Sequence, residues 1–161
     1  MSRNDLVIVD ICNTLANVNE QLNKRGYRTD SFPCEVPPQI WNDESIFREA
    51  EPIRPILYFV RRLSEVAKIV YLTARPQKYH EVTEDWLKRY NAPAAPTFYT
   101  EGRMKGEVVK DIIRDAGQNV IVIEDSPAEI ESILDVMPDV SLFIPDWSYN
   151  RHIQGNRLDI I

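Results

Sequence analysis

Three short apolar runs in this chain each end in a residue able to bind a cation or a phosphate. Leu6-Val7-Ile8-Val9 leads to Asp10, Ile69-Val70-Tyr71-Leu72 to Thr73, and Val120-Ile121-Val122-Ile123 to Glu124 and Asp125. Any one of these alone is adequately explained as a cap or turn residue. Three together point to one crevice, because open parallel sheets bind ligands beyond the carboxyl ends of their strands. The carboxylates of Asp10 and Asp125 are hard oxygen donors of the kind Mg²⁺ prefers. A carboxylate can also attack phosphorus and form an aspartyl-phosphate. Mg²⁺ would offset the repulsion between that carboxylate and a phosphate dianion. The Thr73 hydroxyl and a lysine would then hold the phosphate oxygens. Lys105 is well placed for this, and Lys110 competes with it.

The elements that must position these groups follow from the hydrophobic pattern. Continuous apolar runs of this length suit central parallel strands, buried on both faces. A shorter strand is expected at Thr97-Phe98-Tyr99, and an edge strand at Ser141-Leu142-Phe143-Ile144. Helical spacing fills the intervals. Ile56, Phe59, Val60, Leu63 and Ala67 follow Pro55, a good first-turn residue. Tyr79, Val82, Trp86, Leu87 and Tyr90 form a second stripe. Val108, Val109, Ile112, Ile113 and Ala116 form a third, with Gly117 as its C-terminal cap. Ser126-Pro127-Ala128-Glu129 opens a fourth helix as a capping box with proline at the first position. Alternating strands and helices imply an α/β fold: a Rossmann-like parallel sheet with helices on both faces. The segment from about residue 16 to 52 breaks the pattern with Pro33, Pro37, Pro38 and Pro52. It reads as a small, loop-rich insertion with one short helix near Glu44 to Glu49, in place of a large cap.

Bulk properties narrow the function classes. The 161 residues fit a single domain spanning 1–161. The net charge of -6 argues against broad nucleic-acid binding through a basic face. Neither a signal-peptide run nor a spanning segment is evident, so a cytoplasmic protein with no membrane partner is expected. No obligate protein partner is evident either. Cys12 and Cys34 do not make a disulfide or metal framework. His80 and His152 read as surface residues, and Trp86 as core. Trp41 either packs or lines a substrate pocket. Trp147 and Tyr149 receive no role.

Taken with their order and context, these residues resemble the haloacid-dehalogenase-like (HAD) hydrolase superfamily. Asp10-Ile11-Cys12-Asn13-Thr14-Leu15 is similar to its first motif, and Leu72-Thr73-Ala74-Arg75-Pro76 to its second. Lys105 matches the third. Glu124-Asp125-Ser126-Pro127-Ala128-Glu129 is similar to the acidic fourth. The resemblance implies Asp10 as nucleophile and Mg²⁺ ligand, with the Cys12 backbone carbonyl and the Asp125 carboxylate as further ligands. Glu124 is the alternative to Asp125 at the metal. Thr73, Ala74, Lys105 and Arg75 are the implied phosphate-binding positions, although Arg75 fits a surface salt bridge equally well. Glu129 is either the acidic member of the capping box or part of the metal's surroundings.

The departure from the family pattern is Cys12. The family's phosphatases usually carry aspartate there, to protonate the leaving oxygen and then deprotonate the attacking water. General acid–base catalysis of this kind contributes about 10²–10⁴-fold. A thiol is a poor substitute. Three readings stay open: a slow or unusual phosphatase, a relative that binds a phosphorylated ligand without efficient turnover, or a substitution introduced into a chain that once carried aspartate. The layout also resembles the 3′-phosphatase domain of phage-type polynucleotide kinases. That resemblance, with the small insertion, implies a phosphorylated small molecule such as a nucleotide, or a nucleic-acid end, as substrate.

Overall fold

A computed structural model describes residues 4–115 and 119–161 of the protein. Six parallel strands form one sheet in the order β3-β2-β1-β4-β5-β6. They are β1 (Leu6–Val9), β2 (Lys68–Thr73), β3 (Thr97–Tyr99), β4 (Val120–Ile123), β5 (Ser141–Pro145) and β6 (Asn156–Leu158). The chain winds outward from β1 in one direction through β2 and β3, then returns to the other side of β1 for β4, β5 and β6. The gap between β1 and β4 is therefore the switch point, where ligands bind in such sheets.

Helices cover both faces, as a parallel sheet requires. All four side chains of β1 are buried, and they alternate between two cores. Val7 and Val9 pack with Ile69 and Tyr71 against α2 (Ser45–Arg48), α3 (Arg54–Ser64) and α4 (His80–Arg89). Leu6 and Ile8 pack with Leu72 against α5 (Lys105–Ile112) and α6 (Pro127–Val136). Trp86 is fully buried in the first core, and its indole N–H donates to the Ala50 carbonyl at 2.7 Å. His80 and His152 are exposed.

Several expectations are corrected. Ser141–Pro145 is not an edge strand, because β6 pairs outside it from Phe143↔Asn156 to Pro145↔Leu158. β6 is only three residues long and shows no clear alternation, so the sequence gives little sign of it. The region 16–52 carries more helix than expected: α1 (Val18–Lys24) and a 3₁₀ turn over Pro38–Asn42 accompany the short α2. Asn17 caps α1, accepting the Glu20 N–H at 3.0 Å. Ala67 lies beyond the end of α3. The positions read as the end of the third helix, Ala116 and its cap Gly117, lie outside the described residues. The capping box is only half made. The Ser126 hydroxyl accepts the Glu129 N–H at 3.3 Å, but the Ser126 N–H goes to Glu124 Oε1 at 3.1 Å rather than to Glu129.

Helices α5 and α6 pack backbone to backbone at Gly106. A Cβ at Gly106 would stand 2.0 Å from the Ser132 carbonyl oxygen, an impossible contact with backbone. The Gly106 N–H also donates to Ser132 Oγ at 3.0 Å. Overpacking at such a contact costs about 1–3 kcal/mol. Gly106→Ala should lower the thermal midpoint by about 2–12 °C, taking about 2–4 °C per kcal/mol for a domain of this size. Melting followed by circular dichroism checks this.

Candidate active site

Strand register brings the predicted acids together. Val9 pairs with Tyr71 on one side and Ile123 on the other, so Asp10 and Glu124 leave the sheet side by side. The Asp10 N–H donates to the Ile123 carbonyl at 3.0 Å, extending the ladder one step into the site. Beyond Asp10 the chain turns sharply. The Ile11 carbonyl accepts the N–H groups of Leu15 and Ala16, both at 2.9 Å, and Asn13 adopts φ 60°. Asn is among the few residues that tolerate this left-handed conformation. The turn brings Thr14 back over Asp10, and its hydroxyl donates to Asp10 Oδ2 at 2.9 Å.

Lys105, the first residue of α5, reaches the same point from the other direction. Its Nζ lies 2.5 Å from Asp10 Oδ1 and 2.6 Å from Glu124 Oε2, with all three side chains buried. Lys110, the competing candidate, is exposed. Burial works against the Lys105 ammonium, but the charges of Asp10 and Glu124 outweigh it and hold its pKa above the ordinary lysine value. Glu129 neither closes the capping box nor joins the acids. Its carboxylate accepts the Lys105 backbone N–H at 3.2 Å and so anchors the start of α5.

Oxygens of Asp10, Glu124 and Asp125 lie within 4.8 Å of one another, and all three residues are buried. One lysine faces these three carboxylates. Burial, and next the charge of Asp10, lift Glu124 to about 7 against the pull of Lys105. Burial and the charges of Asp10 and Glu124 raise Asp125 likewise. A compact set of oxygen donors short of positive charge fits a hard divalent cation. Glu124 is the more committed of the motif's two acids. One of its oxygens takes Lys105, and the other takes the N–H groups of Asp125 and Ser126, both at 3.1 Å.

Asp125 is held by a segment to which the sequence assigned no role. The Tyr149 hydroxyl donates to Asp125 Oδ2 at 2.5 Å, and the Asn150 amide to the Asp125 carbonyl at 3.0 Å. The Trp147 indole donates to the Asn13 carbonyl at 2.7 Å, tying the same segment to the Asp10 turn. Only the concentration of aromatic residues just after β5 hints at this.

The remaining predicted residues are distributed unevenly. Cys12, Ala74, Arg75, Lys105, Glu124 and Asp125 line a cleft of about 540 Å³ with Asp10 at its base. Thr73 is buried behind it, and its hydroxyl accepts the Arg75 N–H at 3.1 Å. Arg75 is no surface salt bridge: it is only 3% exposed. Its Nε donates to Cys12 Sγ at 3.1 Å, and Nη1 to Thr83 Oγ1 at 3.2 Å. The guanidinium carbon lies 4.7 Å from the Phe47 ring centroid, and Nη2 is buried with no hydrogen-bond partner among the described residues. Burial, in turn, raises the Cys12 pKa, with Arg75 opposing it. Both cysteines are free thiols. Trp41 and Phe47 also line the cleft.

Comparison with known proteins places the chain in a family. The family described as NLI interacting factor-like phosphatase matches residues 5–159. The chain belongs to this family. Among curated relatives, Putative nucleotidase OB0422 of Oceanobacillus iheyensis is 32% identical over 118 residues, 71% of this chain and 61% of that protein. A protein named Putative nucleotidase from Bacillus cereus is 29% identical over 126 residues, 74% of this chain and 63% of that protein. The chain thus spans less than two thirds of the length of either curated relative. The structure titled for the Pnkp1/Rnl/Hen1 complex aligns with a TM-score of 0.63 at 17% identity, covering 91% of this chain and 47% of that one. The haloacid dehalogenase-like protein SP0104 of Streptococcus pneumoniae aligns with a TM-score of 0.57 at 14% identity, covering 94% and 86%. At these identities the likeness is one of fold, and the fold is HAD-like. Among the described residues, no helix is long and apolar enough to cross a membrane.

Two outcomes follow for this site. Lys105→Met leaves three buried carboxylates without their cation. Breaking a buried ion pair in this way costs about 3–5 kcal/mol, which urea unfolding in the presence of a chelator would read. Tyr149→Phe frees Asp125 to turn. Loss of a group that orients a ligand typically weakens metal binding about 10–100-fold, measurable by titration calorimetry with Mg²⁺ or Mn²⁺.

Proposed function

We propose that the protein is a Mg²⁺-dependent phosphomonoesterase that works through an aspartyl-phosphate on Asp10, with a nucleotide or a polynucleotide end as substrate. The observation that carries this reading is the Asp10 carboxylate, buried at the base of the cleft and fixed by Thr14 on one oxygen and Lys105 on the other. Two donors set the plane of the carboxylate and leave lone pairs for attack on phosphorus. The names of the curated relatives support a nucleotide. The negative net charge also favours a small molecule over a long polyanion.

Asp10 and Asp125 would hold Mg²⁺ together with the Cys12 carbonyl, with Glu124 nearby and engaged by Lys105. When bound, the ion supplies charge compensation for the approach of a phosphate dianion to a carboxylate. The residues of the chain carry the rest. Asp10 attacks phosphorus, and the bond to the leaving oxygen breaks with its electron pair on that oxygen. Lys105, Arg75 and the backbone around Ala74 hold the phosphoryl oxygens. Water then attacks phosphorus, loses a proton, and the Asp10 carboxylate is regenerated as phosphate departs. Residues 16–52, folded over the first core, form a small cap that leaves the cleft open.

The weak point is the proton. At position 12 stands a thiol that accepts from Arg75, where the family's phosphatases carry a carboxylic acid. The geometry therefore also favours a second reading, in which the site binds a phosphorylated ligand without efficient turnover. Phosphate release from nucleoside monophosphates and p-nitrophenyl phosphate separates the two. Asp10→Asn should abolish Mg²⁺-dependent release. Cys12→Asp should raise it by about 10²–10⁴-fold. If neither the protein nor its Cys12→Asp variant releases phosphate from any substrate, the enzymatic reading fails and the binding reading stands.

A further inference from the structure

A second cavity, of about 340 Å³, adjoins the active-site cleft. Asn13, Phe32 and Trp41 line both, so the two spaces meet at these side chains. The cleft holds every charged group of the site. The second cavity has none: its walls are Asn, Thr, Ser, Cys, Pro, Tyr and apolar residues. A substrate that places a phosphate on Lys105 and reaches past Asn13 thus meets a region built for an uncharged, flat and partly polar group. We infer that this second cavity is a nucleobase pocket, that Phe32 and Trp41 are its stacking surfaces, and that the substrate is a free nucleoside monophosphate rather than a polynucleotide end.

The inference rests on the nucleotide reading of the active site and narrows it. Its first support is the difference in charge. A polynucleotide carries a further phosphodiester next to the terminal nucleotide, and proteins that hold single strands track that backbone with cations. Here none of the residues lining the space beyond the aromatics is a cation. The second support is the contrast between the two rings. Trp41 is fixed: its ring stacks on Phe47 with centroids 6.5 Å apart, and its carbonyl accepts the Tyr79 hydroxyl at 3.1 Å. Phe32 lies on the insertion loop, is 43% exposed, and meets Tyr149 at 5.9 Å between centroids. The exposed face of Phe32 lies where the two cavities meet and is free to cover a flat ligand. The third support is polarity. Asn19, Thr29 and Ser31 on the cavity wall supply amide and hydroxyl groups suited to the edge of a base.

Base–aromatic stacking is worth about 1–3 kcal/mol per base, or about 5–150-fold in affinity. The test uses the full chain with Mg²⁺ and hydrolysis-resistant phosphonate analogues, so that binding is read whether or not the protein turns substrate over. Calorimetry should give a nucleoside monophosphonate at least about fivefold tighter binding than the phosphonate of ribose 5-phosphate. The preference should shrink toward unity in Phe32→Leu and in Trp41→Leu. Phe32 is exposed enough that its variant folds, which thermal melting verifies. Equal affinity for the two analogues, binding of neither, or a preference that survives both substitutions overturns the pocket. So does tighter binding of an oligonucleotide carrying the same terminal phosphonate. Failure of the pocket and failure of the phosphatase are distinguishable. Phosphate release from ribose 5-phosphate with no nucleoside preference overturns the pocket alone. Tight, Phe32-dependent nucleotide binding without any phosphate release upholds the pocket while the phosphatase reading falls.

Discussion

The arrangement around Lys105 is the constraint on which the rest of the structure depends. A buried ammonium is tolerated only with opposite charge and hydrogen bonds close by, because the cost of removing it from water is several kcal/mol. Asp10 and Glu124 supply that charge from the ends of neighbouring strands. The lysine reaches them because α5 begins at the mouth of the switch point, where Glu129 anchors its backbone N–H. The helix can lie so close to α6 because residue 106 has no side chain. Strand order, helix start and one glycine are thus tied to a single ion triad.

That triad also explains why a cation suits the site. In a low-dielectric interior, like charges a few ångströms apart repel strongly. Lys105 relieves Asp10 and Glu124 but has no contact with Asp125, which relies on a neutral tyrosine hydroxyl. A site relieved only in part keeps an affinity for positive charge that a fully paired network would lack. The same logic applies in reverse to Arg75. It is a buried cation with a sulfur, a hydroxyl and an aromatic face for company, but no carboxylate paired with it among the described residues. The cleft therefore has an excess of acid at one wall and an unneutralised cation at another.

Much of this was legible in the sequence, and the reasons differ by element. The runs ending at Asp10, Thr73 and Glu124 were readable because strands buried on both faces must be apolar throughout, and the polar residue that follows stands out. The helices α3 and α4 were readable from apolar spacing, and α3 and α6 from proline near their first positions. By contrast, α1 has only Val18 and Leu22 as an apolar pair in seven residues, too short for a period to show. β6 rests on three backbone pairings with β5, and backbone bonding leaves no mark on side-chain choice. The Ser126-to-Glu129 spacing signalled a helix start correctly, but it could not reveal that Glu124 and Lys105 would compete for the partners of the box. Tyr149 was invisible for the plainest reason: a hydrogen bond spanning 24 residues has no local signature.

The reach of that late segment has a consequence for how the protein comes into being. Asp125 and the Asp10 turn both receive partners from residues 147–150, between β5 and β6. Chains emerge at about 5–20 residues per second, so the acids would wait about 1–5 s for Tyr149 after Asp125 itself has been made. In that interval the nascent chain holds its acidic residues without the clasp that orders them. Assembly of the site consequently follows the synthesis of residues 147–150, however early Asp10 is made.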